Sequence, residues 1–204
     1  MNKTVTLKAT FLIATLKPDA ELSHTEILSG VLRDMLHPLG VDCEMIRLAE
    51  RNIKLGNKND MGGDDEWPSI LKKLFASDIV IFATPIWWGS HSSLMQKVLE
   101  RTDNVRGEEF TKTGKSPLNK KVGGIVITGA QDGAENIIGH LMMVMSWIGL
   151  TIPPAGSLSV LASANYSSNN REEILKGYQK EYGGQAKVTA QNLVTLATLL
   201  KKQS

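Results

Sequence analysis

The sequence predicts an α/β fold, in which a doubly wound, five-stranded parallel sheet carries helices on both faces. Strand-like and helix-like segments alternate along the chain, as right-handed βαβ crossovers require. Residues 79–83 and 122–127 are apolar or glycine throughout, which is typical of strands buried on both faces. The chain has 204 residues, a length that suits one such domain better than two. We therefore predict a single domain over residues 1–204.

Residue periodicity and turn residues place the other elements. Further strands are predicted at 9–14 and 41–48, and a brief fifth strand within 151–161. Apolar residues at helical spacing predict helices at 25–39, 67–76, 92–101, 134–148 and 186–200. Pro38 and Gly40 are expected to end the first helix, and Pro68 suits the first turn of the second. The polar stretches 104–121 and 163–184 are predicted to be insertions, on the ligand side of the sheet or at a subunit contact.

Composition excludes several classes of function. The net charge is only +2, and the lysines are scattered among acidic residues, whereas nucleic-acid-binding proteins concentrate basic residues on one face. The single cysteine, Cys43, excludes an internal disulfide and a paired-cysteine metal site. No apolar run approaches the ~18 residues that a membrane span needs. We expect a cytoplasmic protein with no nucleic-acid or membrane partner and no metal.

A polar loop of residues 15–25 joins the first strand to the first helix. In an open α/β sheet, ligands bind outside the carboxyl ends of the strands, and the free amides of a helix N-terminus attract an anion. The loop carries neither a dinucleotide fingerprint nor a P-loop. Alternatively, Ser23 and Glu26 form only a capping box, and Glu26 suits a phosphate only if its carboxylate points away. The polar residues of this loop that could contact such an anion are Thr15, Lys17, Ser23, His24 and Thr25.

Two more loops leave the same edge of the predicted sheet. After the third strand come Thr84, Pro85, Ile86, Trp87, Trp88 and Gly89. Adjacent tryptophans are costly to expose, so they form either a wall for a flat aromatic ring or a hydrophobic contact with helices or a second copy. After the fourth strand come Thr128, Gly129, Ala130, Asp132 and Gly133. Their glycines let the backbone approach a ligand, or else they form a tight turn with an aspartate cap.

These three loops resemble those of the flavodoxin-like NAD(P)H-dependent FMN reductases. Residues 84–89, with Ser93-Leu94 and Glu100-Arg101, are similar to the ring-binding loop and the helix that follows it. Residues 16–17 and 23–25 resemble the phosphate loop, where His24 replaces the usual Asn, and 128–134 resembles the third loop. The resemblance covers about residues 11–154 and implies a sheet of order 2-1-3-4-5 that binds FMN. Residues 52–66 lack the cysteine motif of the related iron–sulfur flavoproteins, which excludes a cluster.

The resemblance also implies an activity. Such an enzyme passes a hydride from NAD(P)H through flavin N5 to a quinone, azo, nitro or flavin acceptor. The cofactors FMN and NAD(P)H carry the chemistry, so no catalytic side chain is assigned. Candidates for binding the 2′-phosphate of NADPH are Arg101, Arg106 and Lys112. Because the paired tryptophans leave apolar surface, we expect a homodimer or homotetramer.

Two other functions are open to a protein of this fold. One is a flavodoxin-type electron carrier that docks a redox protein, although such carriers are usually strongly acidic and steered by charge. The other is a flavin-free regulatory or scaffold protein, which His24 and Glu26 slightly favour.

Overall fold

The structure, a computed structural model, describes residues 6–18, 21–130, 132–161 and 168–202, without the side chains of residues 108 and 109. Its strands are β1 (Leu7–Ile13), β2 (Val41–Arg47), β3 (Ile79–Trp87), β4 (Ser90–His91), β5 (Lys121–Thr128), β6 (Leu150–Thr151) and β7 (Ser157–Val160). Its helices are α1 (His24–Leu36), α2 (Trp67–Ala76), α3 (Ser93–Thr102), α4 (Gly107–Thr113), α5 (Ala134–Ile148) and α6 (Arg171–Lys201). Short 3₁₀ turns occupy His37–Leu39, Leu48–Glu50 and Asp103–Val105.

The strands form one sheet of order β2-β1-β3-β5, with β6 and β7 both paired to β5 at its far side. All of these pairings are parallel. This confirms the predicted α/β fold and the flavodoxin-like order 2-1-3-4-5, in which β6 and β7 share the fifth place. The short β4 folds back against β3 as an antiparallel hairpin.

Helices cover both faces of the sheet, and each face has its own apolar core. Side chains of α2, α3 and α5 pack on one face, and those of α1 and α6 pack on the other. The central strands β3 and β5 contribute side chains to both cores, which explains why their sequences lack polar alternation. In this doubly wound arrangement the loops that follow the strands lie at the carboxyl edge of the sheet.

Helix α6 begins at Arg171, so the predicted start at residue 186 was wrong. Asn170 caps it, because the Asn170 side chain accepts hydrogen bonds from the Glu172 and Glu173 amides. An apolar stripe at four-residue spacing, which includes the buried Ile174 and Tyr178, continues into the predicted part. The burial of this stripe against α1 outweighs the cost of about 1 kcal/mol for each glycine in the middle of the helix. Residues 162–167 lie outside the described residues, and the description of 104–121 and 163–184 as insertions stays a prediction.

Candidate functional site

An open cleft lies at the carboxyl edge of the sheet, where the three predicted loops meet. It encloses about 590 Å³, part of which is continuous with solvent. It is lined by Thr15, Leu16, Lys17, Ser23, His24, Thr25, Pro85, Ile86, Trp87, Thr128, Gly129 and Ala130. Leu16 was not among the predicted site residues. Its position between Thr15 and Lys17, which were predicted, could have indicated it.

Five predicted site residues lie beside or beneath this cleft. Trp88, Gly89 and Asp132 line an adjoining depression together with Ile86 and Ala130. Thr84 is fully buried, and its hydroxyl accepts a hydrogen bond from the Ser92 amide at 3.0 Å. Gly133 lies where the second and third loops touch. Thr84 and Gly133 therefore support the cleft from behind.

Hydroxyl groups gather at the end of the cleft nearest α1. Ser23 is the N-cap of α1, and its hydroxyl accepts a hydrogen bond from the Glu26 amide at 3.3 Å. The hydroxyls of Thr25 and Thr128 are hydrogen-bonded at 2.7 Å, which joins the first loop to the third. Lys17 donates from Nζ to the Leu22 carbonyl at 2.9 Å. This end of the cleft therefore combines hydroxyl groups, a helix N-terminus and an ammonium group.

Arg47, at the carboxyl end of β2, organises the first loop. Its guanidinium, only 8% exposed, donates to the carbonyls of Lys17, Pro18 and Glu21 at 3.0, 2.8 and 3.0 Å. It also binds the Glu26 carboxylate at 2.9 Å. Arg47 was not predicted as a site residue, because a charged residue at the end of an edge strand is usually solvated. The missed signal was its position at the ligand edge, paired with the last residue of β1.

The partners of Glu26 bear on the two interpretations of the first loop. Ser23 makes its half of the capping box, but the Glu26 carboxylate binds Arg47 and lies 3.5 Å from Arg171. The carboxylate is thus held by two cations, which removes the main electrostatic objection to a phosphate at this helix N-terminus.

His24 contacts α6 from the first turn of α1. Its Nδ1 lies 2.7 Å from the hydroxyl oxygen of Tyr178, and the two rings are 5.9 Å apart. Burial, together with the positive charge of Lys17, lowers the pKa of His24. Both effects favour the neutral form of the His24 imidazole.

The two tryptophans form a tight hairpin rather than an open loop. Trp87 pairs with Ser90 across it, while Trp88 and Gly89 form the turn with φ angles of 51° and 73°. Two positive φ angles are typical of a type I′ turn, and a bulky residue rarely adopts one. Trp87 lines the cleft, whereas the side chain of Trp88 is fully exposed.

The absence of side chains at two glycines allows the hairpin to pack closely against the third loop. A Cβ atom on Gly133 would lie 2.8 Å from the Cα atom of Gly89, and a Cβ atom on Gly129 would lie 2.7 Å from Cδ1 of Ile86. Helix α5 ties the hairpin down as well, since the Asn136 side chain donates to the Gly89 carbonyl at 3.2 Å. The wall formed by the second and third loops is therefore fixed by close backbone contact.

Arg101 is excluded from binding a nicotinamide phosphate. Its side chain and that of Asp65 are both fully buried, and they form an ion pair at 2.7 Å. Arg101 also donates to the carbonyls of Lys54 and Lys58, so it holds the loop between β2 and α2. Burial alone would raise the pKa of Asp65, but the Arg101 guanidinium and three amide donors hold it well below its usual range. The pair is structural.

The described residues form neither a metal cluster nor a membrane-spanning helix. No group of three or more His, Cys, Asp or Glu side chains there could hold a metal ion. No described helix is both long enough and apolar enough to cross a membrane.

Comparisons of sequence give one family and two curated relatives, of which the family and one relative are named for flavins. The family described as NADPH-dependent FMN reductase matches residues 7–164. The chain is 29% identical over 157 residues to 8-demethyl-8-aminoriboflavin-5′-phosphate synthase of Streptomyces davaonensis, which covers 72% of this chain and 61% of that protein. It is 31% identical over 166 residues to a Mycobacterium bovis protein named divalent metal cation transporter MntH, which covers 78% of this chain and 24% of that protein. The chain spans less than two thirds of either curated relative.

Solved structures agree with the sequence comparisons. The crystal structure of RosB with bound 8-demethyl-8-formylriboflavin-5′-phosphate has a TM-score of 0.80 and 25% identity, and the match covers 96% of this chain and 81% of that one. An azoreductase from Bacillus anthracis has a TM-score of 0.60 and 15% identity, covering 89% and 99%, and shares the fold. The family match extends over most of this flavodoxin-like chain, which therefore belongs to the NADPH-dependent FMN reductase family of oxidoreductases.

Proposed function

We propose that the protein binds FMN in the cleft and oxidises NAD(P)H, with a small molecule as the electron acceptor. The observation that carries this proposal is the division of the cleft into two unlike ends. One end offers hydroxyls, an ammonium group and a helix N-terminus, which suit a phosphate. The other is walled by Pro85, Ile86 and Trp87 together with the adjoining glycine-containing loop, which suits a flat heteroaromatic ring.

The residues present fit FMN in charge as well as in shape. The first-turn carboxylate of Glu26 is bound by Arg47 and lies near Arg171, so it does not oppose a phosphate. In this proposal Thr15, Lys17, Ser23, His24, Thr25 and Thr128 hold the phosphate end. The ring end consists of Pro85, Ile86, Trp87, Gly129 and Ala130, and Trp88, Gly89 and Asp132 border it from the adjoining depression.

The chain's own task is placement. Bound FMN would supply the redox chemistry, accepting a hydride from NAD(P)H and passing two electrons to a quinone, azo, nitro or flavin acceptor. The hairpin and the third loop, locked together through Gly89 and Gly133, would keep one wall of the ring site rigid. The exposed Trp88 would border the entrance used by substrates. Arg106 stacks on the rings of Phe110 and Trp147 near the C-terminal end of α5, so neither Arg106 nor Lys112 on the adjoining α4 is proposed to contact the 2′-phosphate of NADPH.

A second candidate follows from the relatives. The Streptomyces davaonensis enzyme is named for a modified riboflavin phosphate, and the RosB crystal contains another. The same cleft in this chain would then hold a flavin phosphate as the substrate, and the flavin itself would be chemically altered.

One set of measurements tests both candidates. The purified protein is titrated with FMN, and NAD(P)H oxidation is then followed with quinone, nitro and azo acceptors. The mass of the flavin is measured before and after the reaction. Steady NAD(P)H oxidation with an unchanged flavin mass supports the oxidoreductase, whereas a changed flavin mass supports the second candidate. A protein that binds no FMN would refute both and favour a flavin-free protein. FMN binding without either change would favour an electron carrier.

We also propose that the protein is a homodimer or homotetramer. Trp88 is fully exposed at the tip of the hairpin, and Met143 and Trp147 on α5 are each more than half exposed. A second copy of the chain would cover this apolar surface. Light scattering on the purified protein gives the mass that decides it.

A further inference from the structure

Tyr178 lies on the far side of the phosphate end of the proposed FMN site. It belongs to α6, which starts after the region that matches the family, residues 7–164. Its side chain is fully buried, and the ring of Tyr182 packs edge-on against it, with ring centres 5.9 Å apart. The hydroxyl is thereby fixed at 2.7 Å from Nδ1 of His24.

The direction of this hydrogen bond determines what His24 offers to the cleft. A neutral imidazole has one N–H donor and one lone-pair acceptor. If Tyr178 donates to Nδ1, the proton of His24 lies on Nε2, which then becomes a donor. If His24 donates from Nδ1 instead, Nε2 keeps a bare lone pair and repels an anion.

The surroundings of His24 favour the neutral ring. The ring is partly buried, and Lys17 carries a positive charge nearby, so burial and Lys17 lower the pKa of His24. Glu26, two positions along the helix, is bound to Arg47 and lies 3.5 Å from Arg171. The favoured neutral ring has one N–H, which can donate to an anion.

We propose that Tyr178 donates its hydroxyl proton to Nδ1 of His24 and thereby holds Nε2–H as a donor to the phosphate of the bound flavin. Tyr178 is then a positioning residue, which acts on the phosphate only through His24. This inference rests on the proposed function, since it assumes that the cleft takes FMN. It makes α6 a determinant of the preference for FMN over riboflavin, which lacks the phosphate.

The test compares the affinities of variants for FMN and for riboflavin, measured by quenching of flavin fluorescence. Tyr178→Phe is expected to weaken FMN binding about three- to tenfold, the range for one lost hydrogen bond, and to leave riboflavin binding unchanged. His24→Ala should weaken FMN binding by at least as much, and the double variant should be no worse than His24→Ala alone. Tyr182→Phe removes a hydroxyl one turn along the same helix and should change neither affinity.

Nitrogen NMR of histidine-labelled wild-type protein without flavin gives an independent readout. The expected spectrum shows His24 with an unprotonated Nδ1 and a protonated Nε2 at neutral pH. A proton on Nδ1 would overturn the inference, as would a loss of affinity that FMN and riboflavin share equally. If Tyr178→Phe fails to fold, the NMR spectrum and the His24→Ala affinities decide the question. A wild-type protein that binds neither flavin refutes the proposed function, while the NMR spectrum separately tests the hydrogen bond.

Discussion

Replacing Arg47 with Met removes the guanidinium that gathers the first loop and keeps most of the side-chain volume. The loop carbonyls of Lys17, Pro18 and Glu21 lose their donor, and the Glu26 carboxylate loses its nearer cation. We expect Arg47→Met to destabilise the fold and to weaken FMN binding more than riboflavin binding, because the freed carboxylate lies at the proposed phosphate end.

The size of the effect follows from burial and from the number of bonds. Removing one partner of a buried ion pair costs about 3–5 kcal/mol, and Arg47 is only 8% exposed. Glu26 is 23% exposed and still has Arg171 at 3.5 Å, and water reaches part of the loop, so the lower end of the range applies. We predict a loss of about 3 kcal/mol, which lowers the midpoint of urea unfolding by roughly 1 M or somewhat more.

Two further variants make this measurement specific. Arg33→Met removes an arginine whose ion pair with Asp34 is 39% and 34% exposed, so its cost should stay below about 1 kcal/mol. Combining Arg47→Met with Glu26→Gln removes the unpaired charge, and the double variant should recover part of both stability and FMN affinity. The reasoning fails if Arg47→Met costs no more than Arg33→Met, or if Glu26→Gln restores nothing.

Three other outcomes follow from the structure. Lys17→Ala should weaken FMN binding by roughly 1–3 kcal/mol, as for a charge-assisted hydrogen bond; unchanged affinity in a fluorescence titration would place the phosphate elsewhere. Asp65→Asn should cost about 3–5 kcal/mol in urea unfolding, because it breaks the buried pair with Arg101, whereas the exposed neighbour Asp64→Asn should change little. Folding lowers the pKa of Asp65. The stability that Asp65 contributes is therefore present above its unfolded pKa of about 3.9 and is lost as the pH falls below that value. The free energy of unfolding of Asp65→Asn should accordingly depend less steeply on pH in that acid range. Trp88→Ser should lower the mass measured by light scattering, and an unchanged mass would remove the hairpin from the subunit contact.

Elements bounded by strong local signals were predictable from the sequence. Helix α5 ends at Ile148, as predicted, where Gly149 adopts a left-handed φ of 104°. Helix α2 has Pro68 in its first turn and also keeps its predicted bounds. The buried strands β3 and β5 were predicted as well. Their apolar runs are short and unbroken, without the polar positions that an amphipathic helix shows. In each case the signal that predicts the element lies within a few neighbouring residues.

Features that depend on distant partners were not predictable. Arg47 looks like the solvated end of an edge strand until the carbonyls of Lys17, Pro18 and Glu21 are seen to contact it. The two-residue strand β4 carries no pattern of its own, so the hairpin at Trp88 depends on its pairing with β3. The start of α6 was hidden by polar residues and by Gly183-Gly184, and only the contact of Tyr178 with the core reveals it.

The proposed phosphate end of the cleft contacts a helix that contributes none of its lining. Arg171 lies 3.5 Å from Glu26, and Tyr178 bonds His24, so two residues of α6 act on the first turn of α1. Both lie beyond the region matched by the family, residues 7–164. Helix α6 packs along α1. A substitution in the first half of α6 can therefore shift groups at the N-terminus of α1, or alter the charge near them, without contacting a ligand. Differences in flavin preference among relatives are therefore to be sought in this helix as well as in the three loops.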